Sequence, residues 1–262
     1  MLRALYSSAS GMESQQMNLD VIANNLANVN TTGFKKAKIE FQDLLYQTKR
    51  AAGSESGPGT QVPTSLQVGH GARPVSTAKI FTAGEIMNTG ERLDLAIHGN
   101  GFFKVTLADG TNAFTRDGGF KLDSTGQIVT SDGLPVTSFA GVTIGPEATN
   151  VSISQTGVVS VTQNGTTSTA GSLVLSRFAN PAGLENIGAN LYRETPASGT
   201  EQTGEPANAG MGNVQQGYLE LSNVKVVEEM VNLIKAQRAY EINSKAIQAA
   251  DEMMSMSNRL RG

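Results

Sequence analysis

LRALYSSASGMESQQMNLDVIANNLANVNTTG, residues 2–33, carries its apolar side chains on a regular step. Leu2, Leu5, Ala9, Met12, Gln16, Leu19, Ala23 and Leu26 fall alternately three and four residues apart. That is the a/d pattern of a helix that lays one stripe along another helix in a coiled-coil seam. Asn30-Thr31-Thr32-Gly33 then supplies turn residues and a glycine, which stop the helix.

The other end of the chain repeats the device. Residues 218–261 contain no glycine. Val224, Val227, Val231 and Ile234 follow one three/four frame. Ala239, Ile242, Ala246, Ala249, Met253, Met256 and Leu260 follow a second, offset by one residue. Such an offset changes the local winding of a supercoil. A helix of about 40 residues is about 60 Å long, too long for a small globular domain to bury at both ends. The two terminal helices are therefore expected to pair with each other, with other copies, or both. Small residues along the stripes (Ala9, Ala23, Ala239, Ala246, Ala249) allow close approach.

Between these ends the composition changes. Of 29 glycines in 262 residues, all but Gly11 and the terminal Gly262 lie between Gly33 and Gly217, and all 8 prolines lie between Pro58 and Pro206. Both residues break helices, so the middle is expected to be turn-rich β structure. Leu93-Asp94-Leu95-Ala96-Ile97 alternates with a period of two. Gly101 to Leu107, Phe114 to Arg116, Phe120 to Leu122 and Gln127 to Thr130 are short strand candidates separated by Asp-Gly and similar turns. Val151–Ile153, Val158–Thr162 and Leu173–Phe178 extend the series. Short strands at close spacing point to an antiparallel sheet or small barrel. Two stretches, Thr48 to Gln67 and Ala197 to Gly212, read as irregular from their Gly, Pro, Ser and Thr content. The fold class is α+β: long terminal helices pairing as a coiled-coil-like domain around a turn-rich antiparallel β domain. The expected division is 1–34 with 222–262 as the helical domain, 35–80 with 197–221 as an extended connecting region, and 81–196 as the β domain.

Little in the sequence points to chemistry. With no cysteine, there is no disulfide framework, zinc-thiolate site, iron–sulfur cluster or cysteine nucleophile. No G-x-S-x-G, P-loop or H-E-x-x-H motif occurs. The 2 histidines, His70 and His98, sit beside glycines at turn-like positions, so an enzyme with helical oligomerisation arms would have to build its site on one of them. Asp109, Asp117, Asp123 and Asp132 sit where turns use aspartate and lack the spacing of a calcium loop. No metal and no cofactor is implied. A net charge of -3 gives no reason to expect nucleic acid as a partner, and Lys35, Lys36 and Lys38 read as a solvated or inter-subunit patch. No apolar run approaches the roughly 18–20 residues needed to cross a membrane. The first residues hold no apolar signal core, which by itself suggests residence in the cytoplasm.

Four blocks resemble the flagellar rod and hook family. They are Ser10-Gly11-Met12 with Asn18 through Lys35; Leu93 through Phe103; Phe114-Thr115-Arg116-Asp117-Gly118; and Glu220-Leu221-Ser222-Asn223-Val224 running into Ala236 through Glu241. Within the first block, Asn24, Asn25, Leu26, Ala27, Asn28, Thr31, Gly33 and Phe34 carry the motif. Tyr46, Gln47 and Thr48, continuing through Pro63, resemble the segment that sets distal rod subunits apart from hook subunits.

The resemblance implies a structural subunit that leaves the cell through the flagellar type III export apparatus without a cleaved signal. It then polymerises in the periplasm, where the rod crosses the peptidoglycan and the outer-membrane ring region. The implied partners are copies of itself in a helical homopolymer, proximal rod proteins, the hook protein, and the P-ring and L-ring bushing proteins. No nucleic acid and no membrane insertion are implied. The assembly seam is expected to use Leu2, Leu5, Met12, Leu19 and Leu26 from one helix. From the other it would use Val227, Val231, Ile234, Ile242, Met253, Met256 and Leu260. A proximal rod subunit of the same family and a secreted β-rich binding module are the competing readings.

Overall fold

The computed structural model describes residues 2–57, 60–139, 141–145, 148–163, 165–208 and 210–259. The chain divides into two compact units, the first formed by residues 1–27, 37–78 and 225–262, the second by 28–36 and 79–224.

The first unit holds both helices. Helix α1 (Leu2–Ala27) is followed by a turn in which Thr31 N donates to Asn28 O at 3.2 Å. The unit continues with strands β1 (Ala37–Asp43), β2 (Tyr46–Arg50), β3 (Glu55–Gly57), β4 (Thr60–Gln61), β5 (Leu66–Gly69) and β6 (Ala72–Lys79). β1 pairs with β6, β2 with β5 and β3 with β4, so residues 37–79 form three nested antiparallel pairs. The stretch Thr48 to Gln67, expected to be irregular, is thus largely laddered. Gly53 sits in a turn and Gly57 at a register shift, while Thr48 and Leu66, with Tyr46 and Val68 flanking the stretch, supply strand formers. The unit closes with α2 (Val226–Arg259), whose first turn carries Glu228 and Glu229 where the helix dipole favours acids.

α1 and α2 pack side by side. Asn25 Nδ2 donates to Glu229 Oε2 at 3.4 Å, and Gly11 faces Asn243. From Asn25 back to Gly11 and from Glu229 forward to Asn243 is the same two-heptad step, so the helices run antiparallel. Gly11 explains itself here. A Cβ at that position would lie 3.0 Å from Asn243 Nδ2, so the helix gives up roughly 1 kcal/mol of propensity for a closer approach.

The second unit is antiparallel β structure. Its strands are β7 (Ile86–Asn88), β8 (Leu95–His98), β9 (Phe103–Thr106), β10 (Asn112–Thr115), β11 (Lys121–Leu122), β12 (Ile128–Val129), β13 (Ala148–Ile153), β14 (Val158–Gln163), β15 (Thr166–Ser172), β16 (Leu175–Arg177), β17 (Glu185–Gly188), β18 (Leu191–Arg193), β19 (Gln202–Gly204), β20 (Asn213–Gln216) and β21 (Tyr218–Glu220). The order β17-β18-β10-β9 makes a four-stranded sheet, and β13-β14-β15 a three-stranded one. The remaining strands pair as β8 with β20, β7 with β21, β11 with β12 and β16 with β19.

Turn chemistry sets the hairpins. Asp109 accepts from Thr111 N at 2.9 Å between β9 and β10, and Asp123 accepts from Thr125 N at 2.6 Å between β11 and β12. These bonds, the threonine hydroxyls foremost, hold both carboxyls below the usual carboxylate range. Inward-facing Leu95, Ile97, Phe103, Val105, Val159 and Val161 belong to the main apolar core. A smaller aromatic cluster packs Phe102, Phe114, Phe178 and Tyr192 edge to face.

The stretch Ala197 to Gly212 also differs from the composition-based expectation. It contributes β19, a fully buried Ser198 and the core residue Met211. Hydrogen bonds of the Thr195 and Ser198 hydroxyls to nearby backbone, not apolar periodicity, order it. Likewise 197–221 groups with the β unit, while 37–78 groups with the helices. The connecting region expected from the sequence is thereby divided between the two units.

Candidate functional site

Two arrangements stand out, one in each unit. The first is the face that α2 turns to solvent. Glu229, Ala236 and Ala250, seven or fourteen residues apart, are the buried positions of α2 among the described residues, with Asn243 in the same frame against Gly11. This inner stripe is small and polar. The large apolar residues lie elsewhere: Val227, Val231, Ile234, Ile242, Met253 and Met256 are between 45% and 77% exposed, with Val226 and Met230 beside them.

Within one chain, α1 therefore lies against a stripe offset from the one that the a/d periodicity picked out. The physical reason is the close approach at Gly11, which admits Ala and Asn but not Val, Ile or Met. On α1, Leu5, Met12, Leu19 and Leu26 are half-buried. Leu260 lies outside the described residues, as does the side chain of Leu2. Isolated exposed apolar residues are ordinary, but a continuous row along a helix marks an interaction surface.

The second arrangement gathers the family-motif blocks. Gly33 sits at φ 67°, and a Cβ there would meet Asp117 N at 2.6 Å. Its amide donates to Glu220 O at 2.7 Å. Phe34 is buried beneath Lys79 Nζ, 4.3 Å from the ring centroid. Next in sequence, Lys35 is sealed from solvent and donates to Glu220 Oε1 at 2.5 Å and Thr82 O at 2.8 Å. Arg116 Nη1 reaches Glu220 Oε2 at 3.3 Å, and Nη2 donates to Gly99 O at 2.7 Å. Gly84 N adds a bond to Glu220 Oε1 at 2.9 Å.

Lys35, Arg116 and Glu220 thus form a buried ion triad, 0–3% exposed, fed by all four blocks. Burial pulls the Lys35 ammonium and the Arg116 guanidinium below their usual values despite Glu220. The same burial, outweighing the nearby Arg116, pushes the Tyr192 phenol up to about 12. Asn223 completes the tie: its Oδ1 accepts from Lys36 N at 2.8 Å and its Nδ2 donates to Ile80 O at 2.7 Å.

The sequence could not single out this triad. Its members are 185 and 104 positions apart. The only signal was charge sitting inside otherwise apolar or turn-forming motif blocks.

The remaining motif residues divide. Asn25, in the first unit, is buried and exchanges two 2.9 Å bonds with the backbone of Ala37. Thr31 Oγ1 bonds Asn28 Oδ1 at 3.2 Å. Asn24 and Ala27 face solvent, and Leu26 is half-buried. In the β2–β5 pair, Tyr46 is exposed, Gln47 pairs with Val68, and Thr48 Oγ1 accepts from Gln67 at 3.2 Å. Pro63 is exposed next to the buried Val62. His70 is half-buried between β5 and β6, and His98 is exposed at the end of β8. Among the described residues no helix is long and apolar enough to cross a membrane.

Three family profiles match along the chain. Residues 5–35 match "Flagella basal body rod protein", residues 96–161 "Flagellar hook protein FlgE/F/G D1 domain", and residues 215–260 "Flagellar basal body rod FlgEFG protein C-terminal". The flagellar basal-body rod protein FlgG of Borreliella burgdorferi is 50% identical over 100% of this chain and 99% of its own length. That of Buchnera aphidicola from Schizaphis graminum is 48% identical over 99% of this chain and 100% of its own. The flagellar hook protein FlgE of Helicobacter mustelae is similar at 46% identity, but over 52% of this chain and 30% of its own length.

Proposed function

The chain belongs to the flagellar rod and hook protein family, and we infer that it is the structural subunit of the distal rod of a flagellar basal body. Copies self-assemble into a rigid helical tube that surrounds the export channel and carries motor torque to the hook. The full-length similarity to rod proteins supports rod over hook, and the 46–67 segment supports the distal position. Neighbours at the ends of the tube are proximal rod proteins and the hook protein. The P-ring and L-ring proteins surround it in the periplasm and outer-membrane region, and the subunit arrives through the flagellar type III export apparatus.

The observation that carries this reading is the exposed apolar row on α2. In the polymer, the row from Val227 to Met256 meets the Leu5, Met12, Leu19 and Leu26 stripe of neighbouring copies in a coiled-coil-like inner tube. Burying one such side chain is worth about 1.5–3 kcal/mol, and the contact repeats in every subunit. Each helix thus has two jobs: a close small-residue face within the chain and a bulky apolar face between chains. The β2–β5 pair is a second contact between copies, and its cleavage by protease is slower in the polymer than in the monomer.

Ile234→Asp tests the reading. By electron microscopy of purified protein, wild type forms rods while the variant stays monomeric with unchanged helix content. Normal rods from Ile234→Asp would remove the row from the assembly contact.

A further inference from the structure

The chain has no cysteine and no tryptophan, so its 9 methionines are its most readily oxidised side chains. They are unevenly placed. Met230, Met253, Met254 and Met256 all fall in α2, and Met230, Met253 and Met256 are each about half exposed. Met254 is the one turned inward: it is half-buried and lines a cleft with Ala4 and Ser7 of α1 and Val68 of β5. Met211, by contrast, belongs to the core of the second unit.

Past Ile242, Met253 and Met256 are the only large apolar side chains that α2 exposes among the described residues. The other members of that frame, Ala246 and Ala249, are small. The last turns of the apolar row therefore owe their bulk to thioethers. A thioether packs as a flexible apolar group, but it can be changed chemically where leucine or isoleucine cannot. Its sulfur attacks a peroxide oxygen, the O–O bond breaks and an S–O bond forms. The sulfur is oxidised by two electrons, and the peroxide is reduced and leaves as water. The product is a polar sulfoxide. Facing water it is well solvated. In an apolar seam its oxygen needs a donor, and the side chains of Leu5, Met12, Leu19 and Leu26 offer none.

We propose that Met253 and Met256, with Met230, are a modification site: a peroxide converts them to sulfoxides in the unassembled subunit, and the oxidised subunit no longer joins the polymer. This rests on the α2 row being the contact between copies. Assembly covers the three sulfurs and protects them. The inner stripe of α2 that meets α1 holds none of the three, so oxidation leaves the fold of the single chain intact.

The test starts from dilute full-length monomer. Hydrogen peroxide is added until peptide mass spectrometry finds Met230, Met253 and Met256 oxidised and Met211 intact, and is then removed. The critical concentration for polymerisation, read by sedimentation, is expected to rise at least about tenfold, the worth of withholding one apolar side chain from its contact. Helix content is expected to stay the same. Methionine sulfoxide reductases, which take the oxygen off as water with electrons from a dithiol, are expected to restore assembly. A triple variant, Met230→Leu with Met253→Leu and Met256→Leu, keeps the row apolar and is expected to polymerise equally well before and after peroxide. Unchanged assembly of the oxidised wild type, the same loss in the triple variant, or equal oxidation of the three methionines in rod and monomer would overturn the site. Ile234→Asp, run alongside, separates this inference from the reading it rests on. If that variant stays monomeric while oxidised wild type polymerises, the row stands and the oxidation site falls. If both polymerise, the row itself is not the contact and the site falls with it.

Discussion

Glu220→Gln should cost more than Lys35→Met, although both break the same 2.5 Å ion pair. The glutamine keeps the shape of Glu220 and an acceptor for Gly84 N, but leaves Lys35 and Arg116 buried with no counter-charge. Removing one partner of a buried pair costs about 3–5 kcal/mol, because the remaining charge is uncompensated. Lys35→Met leaves Glu220 with Arg116, a balanced pair, and its main loss is the bond to Thr82 O, about 1–2 kcal/mol. For a unit of this size each kcal/mol moves the melting point by about 2–4 °C. The expected shifts are therefore about 6–20 °C for Glu220→Gln and about 2–8 °C for Lys35→Met, read by calorimetry on the monomer.

The pH dependence has a definite sign. Burial holds the Lys35 pKa below 10.5, so between the folded value and 10.5 the unfolded chain binds the proton more readily. Stability then rises as pH rises through that window and is flat below it, where both states hold the proton. Without Glu220 the folded value falls further, so the Glu220→Gln deficit shrinks, and never grows, as pH rises toward 10.5. A Lys35→Met loss equal to or larger than that of Glu220→Gln, or a deficit that grows toward pH 9, would refute the charge-balance reasoning.

Other outcomes follow from single positions. Gly33→Ala combines a left-handed φ, about 1–2 kcal/mol, with a Cβ only 2.6 Å from Asp117 N, about 1–3 kcal/mol more. Its melting point should fall well below that of an exposed control such as Gly110→Ala, where strain acts without a clash, and an equal fall would show that packing against Asp117 does not matter. Tyr192, raised to about 12 by burial, keeps its phenol neutral. The stability this contributes is present below pH 10 and is lost as pH rises from 10 toward 12. Phenolate absorbance should therefore show a late step that Tyr192→Phe removes, and a titration complete by about pH 11 in folded protein contradicts that assignment.

The terminal helices were legible because periodicity is a local property. The glycine and proline distribution separated them from the β middle for the same reason, and Asp109 and Asp123 stand in the turns their chemistry suggested. What stayed hidden depended on contacts between distant residues. Apolar spacing identifies a stripe on α2 but not its partner, and the single Gly11 sets which face of α2 meets α1 in the chain. Composition misread 48–67 and 197–212, because strand pairing and Ser198 bonding order them without an apolar signature. Lys35 read as part of a solvated patch, yet it is buried by a glutamate that only the fold brings near.

The central claim is that the bulky row of α2 faces water in the single chain and is covered on assembly. The chain has no cysteine, so a cysteine placed at Ile234 is a unique probe. Maleimide should label Ile234→Cys rapidly in the monomer and at least about tenfold more slowly in the assembled rod, whereas a cysteine at Gly110 should label alike in both. Equal labelling of Ile234→Cys in monomer and rod would contradict the account.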